Sequence, residues 1–226
     1  MSLLRRAIAE FAGTFGFVFL ACAAVVIDNF PSARFGLVGI AAITGLALAA
    51  MVAATAGVSG GMLNPAITVA MVATRRLGLT EGGALIGAQL VGAVAAVGML
   101  MLALPAGVGT IVLWGTPLLS ARVATSDGIL IEAVLTAILT LTWLGTIGAR
   151  RGEGNGGAGG IAVGLALVAL TLVGQPLTGA ALNPARAFGP ALFGGNFANQ
   201  VVWWVGPMVG ALVAAAAWRL IETRDR

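Results

Sequence analysis

Six long apolar stretches dominate the chain, at roughly 7–27, 37–56, 82–104, 128–149, 158–175 and 200–221. Each approaches the ~20 residues that a helix needs to cross a ~30 Å hydrocarbon core. Two shorter helical stretches begin at Pro65 and Pro184. Each runs about ten residues, or ~15 Å at 1.5 Å per residue. Neither can span alone, but two entering from opposite faces can do so together. The pattern predicts an all-α membrane protein with six transmembrane helices plus two half-helices.

The polar positions that interrupt this pattern are duplicated. Asn64-Pro65-Ala66 and Asn183-Pro184-Ala185 open the two short helices, preceded by Ser59-Gly60-Gly61 and Thr178-Gly179-Ala180. Asn followed by Pro is a helix start: the Asn caps and the Pro takes the first helical position. In a soluble protein that is an ordinary cap. Here the capped helices are too short to span, and irregular glycine-containing backbone precedes them. Such backbone is tolerated at membrane depth only when buried in protein or lining a water-filled cavity.

Other positions repeat as well. Asn64 and Asn183 are 119 residues apart, and Gly45-Leu46-Ala47-Leu48 recurs as Gly164-Leu165-Ala166-Leu167 at that offset. Glu10 and Thr14 recur as Glu132 and Thr136 at an offset of 122. Each repeat holds three spans, an odd number, so the second copy must be inserted upside down. The expectation is a single transmembrane channel domain over 1–226, built of inverted repeats at approximately 1–110 and 125–226. The glycine-rich stretch 152–157 reads as the link between them. It lacks the lysine and preceding strand of a phosphate-binding loop.

Composition narrows the class further. Of 226 residues, 59% are hydrophobic and 9% charged, too few charges to cover a soluble surface. Mean hydropathy is +1.04. The formal charge of +4 comes from twelve arginines without lysine, and no basic–aromatic stretch points to nucleic acid. The arginines instead report topology and contact with lipid headgroups. Arg5, Arg6, Arg75, Arg76, Arg150, Arg151, Arg219, Arg224 and Arg226 share one side when the first span starts inside. Both termini are therefore expected in the cytoplasm. The first apolar run has no convincing cleavage site and reads as a retained helix. Cys22 is the only cysteine, so no intrachain disulfide forms. Histidine is absent and the acids are scattered, which leaves no enzyme constellation, metal site or cofactor site.

These motifs, the Asn183-Pro184-Ala185-Arg186 run, the Glu10/Glu132 pair and the helix plan resemble the aquaporin, or major intrinsic protein, family over essentially the whole chain. The resemblance implies an aquaporin-like right-handed bundle, one pore per subunit and a homotetramer. It also implies passage of water and small neutral solutes. A selectivity filter is implied at Thr44, Thr171, Ala180 and Arg186. Water-selective members usually place a bulky aromatic and a histidine in that ring, and Thr44 and Thr171 stand here instead. Glycerol-facilitating members usually carry an aspartate after the arginine, where this chain has Ala187. Ala191 and the Trp203-Trp204 pair resemble the water-channel branch. Water conduction with weak exclusion of glycerol, urea or metalloid hydroxides is expected.

The residues supply a physical account. Facing half-helix N-termini put about half a positive charge each at the pore centre and repel cations. The amides of Asn64 and Asn183 can donate to a passing water, which then cannot donate along its own file. Arg186 is placed at membrane depth, where a charge is costly and a functional hypothesis by default. Glu10 and Glu132 suit structural carboxylates that accept hydrogen bonds from the irregular backbone before each half-helix. Gly206 and Gly210 read as helix packing, Trp114, Trp143 and Trp218 as interface anchors, and Met62 as a pore neighbour. The alternative function is a secondary active transporter, which shares inverted repeats and broken helices but needs a coupling-ion site. An ion channel is a third. The Ala/Gly/Arg-rich bias points to a bacterial cytoplasmic membrane.

Overall fold

Hydrophobic length and the two Asn-Pro caps set the architecture. The computed structural model describes residues 1–30, 32–148 and 156–222. Spanning helices are α1 (Leu3–Ile27), α2 (Gly36–Thr55), α4 (Leu79–Ala103), α6 (Thr125–Trp143), α7 (Gly156–Thr178) and α9 (Gln200–Ile221). Helix α6 continues as a π turn over Leu144–Gly148. Between them lie the half-helices α3 (Pro65–Ala73) and α8 (Pro184–Gly194). A short α5 (Ala106–Ile111) and a 3-10 turn at Leu113–Gly115 fill the connection before α6. No strand occurs among the described residues. Most of the glycine-rich link, together with Arg150, Arg151, Arg224 and Arg226, lies outside them.

All six expected spans form, with ends shifted by a few residues. One such shift is at the end of α7, expected to stop at 175, before Pro176. The helix instead runs through Pro176 to Thr178. A proline removes one intrahelical donor, a loss that neighbouring helices can make good in a membrane bundle.

Small residues set the helix spacings. A Cβ on Gly45 of α2 would lie 2.5 Å from the Gly164 carbonyl oxygen of α7. One on Gly92 of α4 would lie 2.5 Å from the Phe11 carbonyl oxygen of α1, and one on Gly210 of α9 would strike the Ala133 carbonyl of α6. Gly206 likewise packs on Ile129 and Glu132. Backbones this close gain dispersion contacts that larger side chains would forbid. The opposite faces are exposed and apolar, with Leu46 61%, Val91 60%, Leu165 60% and Val213 59% exposed. Such faces suit lipid.

The tryptophans correct one expectation. Trp114 and Trp143 are not interface anchors: they are 2% and 1% exposed. The Trp143 Nε1 donates to the Gly61 carbonyl at 3.2 Å, so its polar edge is satisfied by protein rather than by interfacial water.

Candidate functional site

Each half-helix starts from a strained turn held by a buried carboxylate. Leu63 and Leu182 precede the capping asparagines with φ of 50° and 51°. Gly61 and Ala180, two residues earlier, have φ of 59° and 44°. For residues with a Cβ, this left-handed region costs roughly 1–2 kcal/mol. Charge-assisted bonds offset it. Glu10 accepts from Met62 N at 3.1 Å, Leu63 N at 2.7 Å and Ser59 Oγ at 2.6 Å. Glu132 accepts from Ala181 N at 3.1 Å, Leu182 N at 2.7 Å and Thr178 Oγ1 at 2.6 Å. Both carboxylates are fully buried. The loops are also tied by Trp143 to Gly61 and by Trp203 Nε1 to the Thr178 carbonyl at 2.8 Å.

Those turns deliver Asn64 and Asn183 as N-caps. Asn64 Oδ1 accepts from Ala66 N at 2.9 Å, and Asn183 Oδ1 from Ala185 N at 2.9 Å and Arg186 N at 3.4 Å. Pro65 and Pro184 take the first helical position, where no donor is lost. The amides then cross. Asn64 Nδ2 donates to the Leu182 carbonyl and Asn183 Nδ2 to the Leu63 carbonyl, both at 2.8 Å. The half-helix N-termini therefore abut. Each amide has two N–H groups, and the crossed bonds use one, leaving one on each side.

From this junction the half-helices part. Arg76, just after α3, donates to the Gly148 carbonyl and pairs with Glu222, where α6 and α9 finish. Gly194, the last residue of α8, packs on Leu113 and Thr116, ahead of the start of α6. They run toward opposite ends of the bundle, with their positive ends together.

Beside the junction is a narrow cavity bordered by both asparagines, Met62 and Ala181, with apolar walls that include Phe17, Ile67 and Trp143. The space open to water centres is about 10 Å³, close to what one molecule requires. About one water molecule fits there.

The remaining candidates come from separate elements and are all buried: Thr44 on α2, Thr171 on α7, Ala180 in the loop before α8, and Arg186 on α8. A Cβ on Gly174, one turn after Thr171, would lie 3.0 Å from the Ala180 Cβ, so that turn and the loop pack closely. Thr171 Oγ1 is buried without a protein partner. Arg186 Nη1 donates to the Gly115 carbonyl at 2.8 Å, leaving four of its five N–H donors for other partners. Gly115 has φ of 82°, and a Cβ there would sit 3.0 Å from Cys22 Cα. Glycine is required on both counts.

Sequence reasoning missed three participants. Gln89 Nε2 bridges Glu10 Oε2 at 2.7 Å and Thr68 Oγ1 at 2.9 Å. Arg6 Nη2 donates to the Ser59 carbonyl at 3.1 Å and pairs with Glu81. The Gly115 carbonyl holds Arg186. A lone glutamine in an apolar span was the one available signal, since a buried polar group must be partnered.

Six spanning helices around two abutting half-helices define an all-helical membrane channel. The chain belongs to the major intrinsic protein family, whose model matches residues 1–218. It is 37% identical over 220 residues to the lens fiber major intrinsic protein of Gallus gallus, covering 97% of this chain and 82% of that one. It is 39% identical over 221 residues to the probable aquaporin TIP3-2 of Oryza sativa subsp. japonica, covering 96% and 81%. Human Aquaporin-4 is 35% identical over 182 residues, 80% of this chain and 55% of that protein. Among solved structures, the aquaglyceroporin from Plasmodium falciparum shares the fold with a TM-score of 0.81, 22% identity and 96% coverage of both chains.

Proposed function

We propose that this protein is a passive channel that conducts water and small neutral solutes down their own gradients and excludes ions and protons. The crossed pair Asn64–Leu182 and Asn183–Leu63 carries the reading. It holds two helix N-termini together, places about half a positive charge at each, and leaves one amide N–H per asparagine for the lumen. A water beside them accepts from both and cannot pass a proton along its file. Cations meet a positive field at a cavity whose lining includes both asparagines and no acid, because Glu10 and Glu132 face the loop donors instead.

Thr44, Thr171, Ala180 and Arg186 form the selectivity filter in this reading. Arg186 rejects cations and offers donors to solute oxygens, and the two threonines keep the ring wide and moderately polar. Glycerol, urea and neutral metalloid hydroxides are the solutes that such a ring admits beside water. The protein is read as one channel domain of two inverted repeats, a reading favoured by the opposed half-helices. It is read as a homotetramer in a bacterial cytoplasmic membrane, with both termini inside. The orientation is supported by Arg5, Arg6, Arg75, Arg76 and Arg219, which lie at the bundle end where α1 begins and α3 and α9 finish.

Stopped-flow light scattering on proteoliposomes tests the function. Water and glycerol flux above that of protein-free vesicles, unaffected by pH or sodium gradients, supports the channel. Flux that requires either gradient favours a coupled transporter.

A further inference from the structure

The bundle end where α3, α6 and α9 finish carries a concave polar pocket of about 520 Å³. Among the described residues, Arg75, Arg76 and Arg219 line it with one acid, Glu222, a net charge of +2 for those four. A second hollow of about 420 Å³ adjoins it across Arg75 and Arg76 and is lined also by Leu77, Leu79 and Glu81, the last paired with Arg6.

Part of this charge is engaged. Arg76 is held by Glu222 and the Gly148 carbonyl. Arg219 Nη2 makes one long bond, 3.4 Å, to the Ala73 carbonyl at the end of α3. Arg75 is exposed, and its guanidinium has no hydrogen bond or ion pair among the described residues. A helix C-terminus attracts cations, which accounts for Arg219. Arg75, directly after the C-cap of α3, sits in the same field, but its guanidinium makes no hydrogen bond to a terminal carbonyl among the described residues. Leu79, which lines the second hollow, is 80% exposed, and Leu220 and Ile221, next in the chain after Arg219, are 90% and 63% exposed.

We propose that this pocket binds the phosphate of an anionic phospholipid headgroup. Arg75 and Arg219 supply the free donors, Arg76 is the fixed third cation, and the acyl chains lie along Leu79 and Leu220. A guanidinium fork matches phosphate oxygens, and basic pockets between transmembrane helices are recurrent headgroup sites. A free phosphate has the same anion chemistry but no use for these exposed apolar side chains, which is why the lipid is favoured. The bound lipid bridges the ends of α3 and α9. The site is independent of what the pore conducts, so its failure leaves the channel reading untouched.

Native mass spectrometry of the detergent-solubilised protein, titrated in parallel with phosphatidylglycerol and phosphatidylcholine, reads the preference. Each arginine near a headgroup contributes roughly five-fold. Wild type is expected to favour phosphatidylglycerol by about tenfold or more, and Arg75→Gln with Arg219→Gln to lose most of that margin. Arg34→Gln, in the connection between α1 and α2 at the other end of the bundle, should retain it. Arg75→Gln alone, which breaks no contact, serves if the double variant does not fold, with a roughly five-fold loss expected. Equal retention of the two lipids by wild type, or an unchanged preference in the variants, overturns the proposal. Displacement of phosphatidylglycerol by equimolar inorganic phosphate overturns the lipid assignment in favour of a free-anion site.

Discussion

Asn64 and Asn183 cap their own helices while each clamps the other's loop, through donations of 2.8 Å to Leu182 and Leu63. A side chain that accepts at a cap and donates across the junction must carry both functions, and only an amide does so here. Asn183→Asp keeps the acceptor and loses both donors. The Leu63 carbonyl is left unpaired, at about 1–3 kcal/mol, and a negative charge enters the lumen. The expected outcome is a lower unfolding temperature and a proton leak above wild type, read with a pH-sensitive dye trapped in proteoliposomes. A wild-type leak rate would show that the amide does not set the barrier.

Glu132→Gln separates a structural carboxylate from a proton relay. One amide oxygen cannot serve Thr178, Ala181 and Leu182 together, and the new NH₂ faces donors. A loss of about 2–3 kcal/mol is expected, seen as a lower midpoint of thermal unfolding in detergent. A relay predicts an unchanged midpoint and altered proton flux instead.

Close backbone approach makes a third prediction. Gly92→Ala and Gly210→Ala press a methyl onto the carbonyls of Phe11 and Ala133, and overpacking of this kind costs about 1–3 kcal/mol or more. Folded yield by size-exclusion chromatography should fall for both. Gly83→Ala, with nothing within 4 Å of the added carbon, should behave as wild type.

Thr171→His tests the proposed filter. Thr171 is 1% exposed with an unpartnered hydroxyl, so a larger ring must enter the lumen or displace a helix. Glycerol flux is expected to drop more than water flux in stopped-flow measurements. Unchanged glycerol flux would remove Thr171 from the constriction.

The six spans and the short helices were legible because hydrophobic length and Asn-Pro caps act locally. Family membership was legible in the duplicated motif. The interactions that fix the site were not, because their partners are largely backbone carbonyls. Nothing in the sequence marks Gly115 as the acceptor for Arg186, or Leu63 and Leu182 as acceptors for the crossed amides. The crossed bonds take one N–H of each asparagine amide and leave the other for the donation to water that the sequence suggests. Trp143 misled for a related reason. At a helix end it resembles an interfacial anchor, but the indole closes the pore wall and pins Gly61. Gln89 breaks the correspondence between the halves: the donors to Glu132 are Thr178, Ala181 and Leu182, with no side-chain amide among them. A repeat read from matching residues hides such differences.

The most direct measurement records osmotic water flux and proton flux in the same wild-type proteoliposomes, without any solute or ion gradient beyond the osmotic step. A passive pore blocked to protons at Asn64 and Asn183 predicts fast shrinkage with internal pH unchanged from protein-free vesicles. Water flux no faster than that of bare lipid, or a pH change that follows the water, would contradict it.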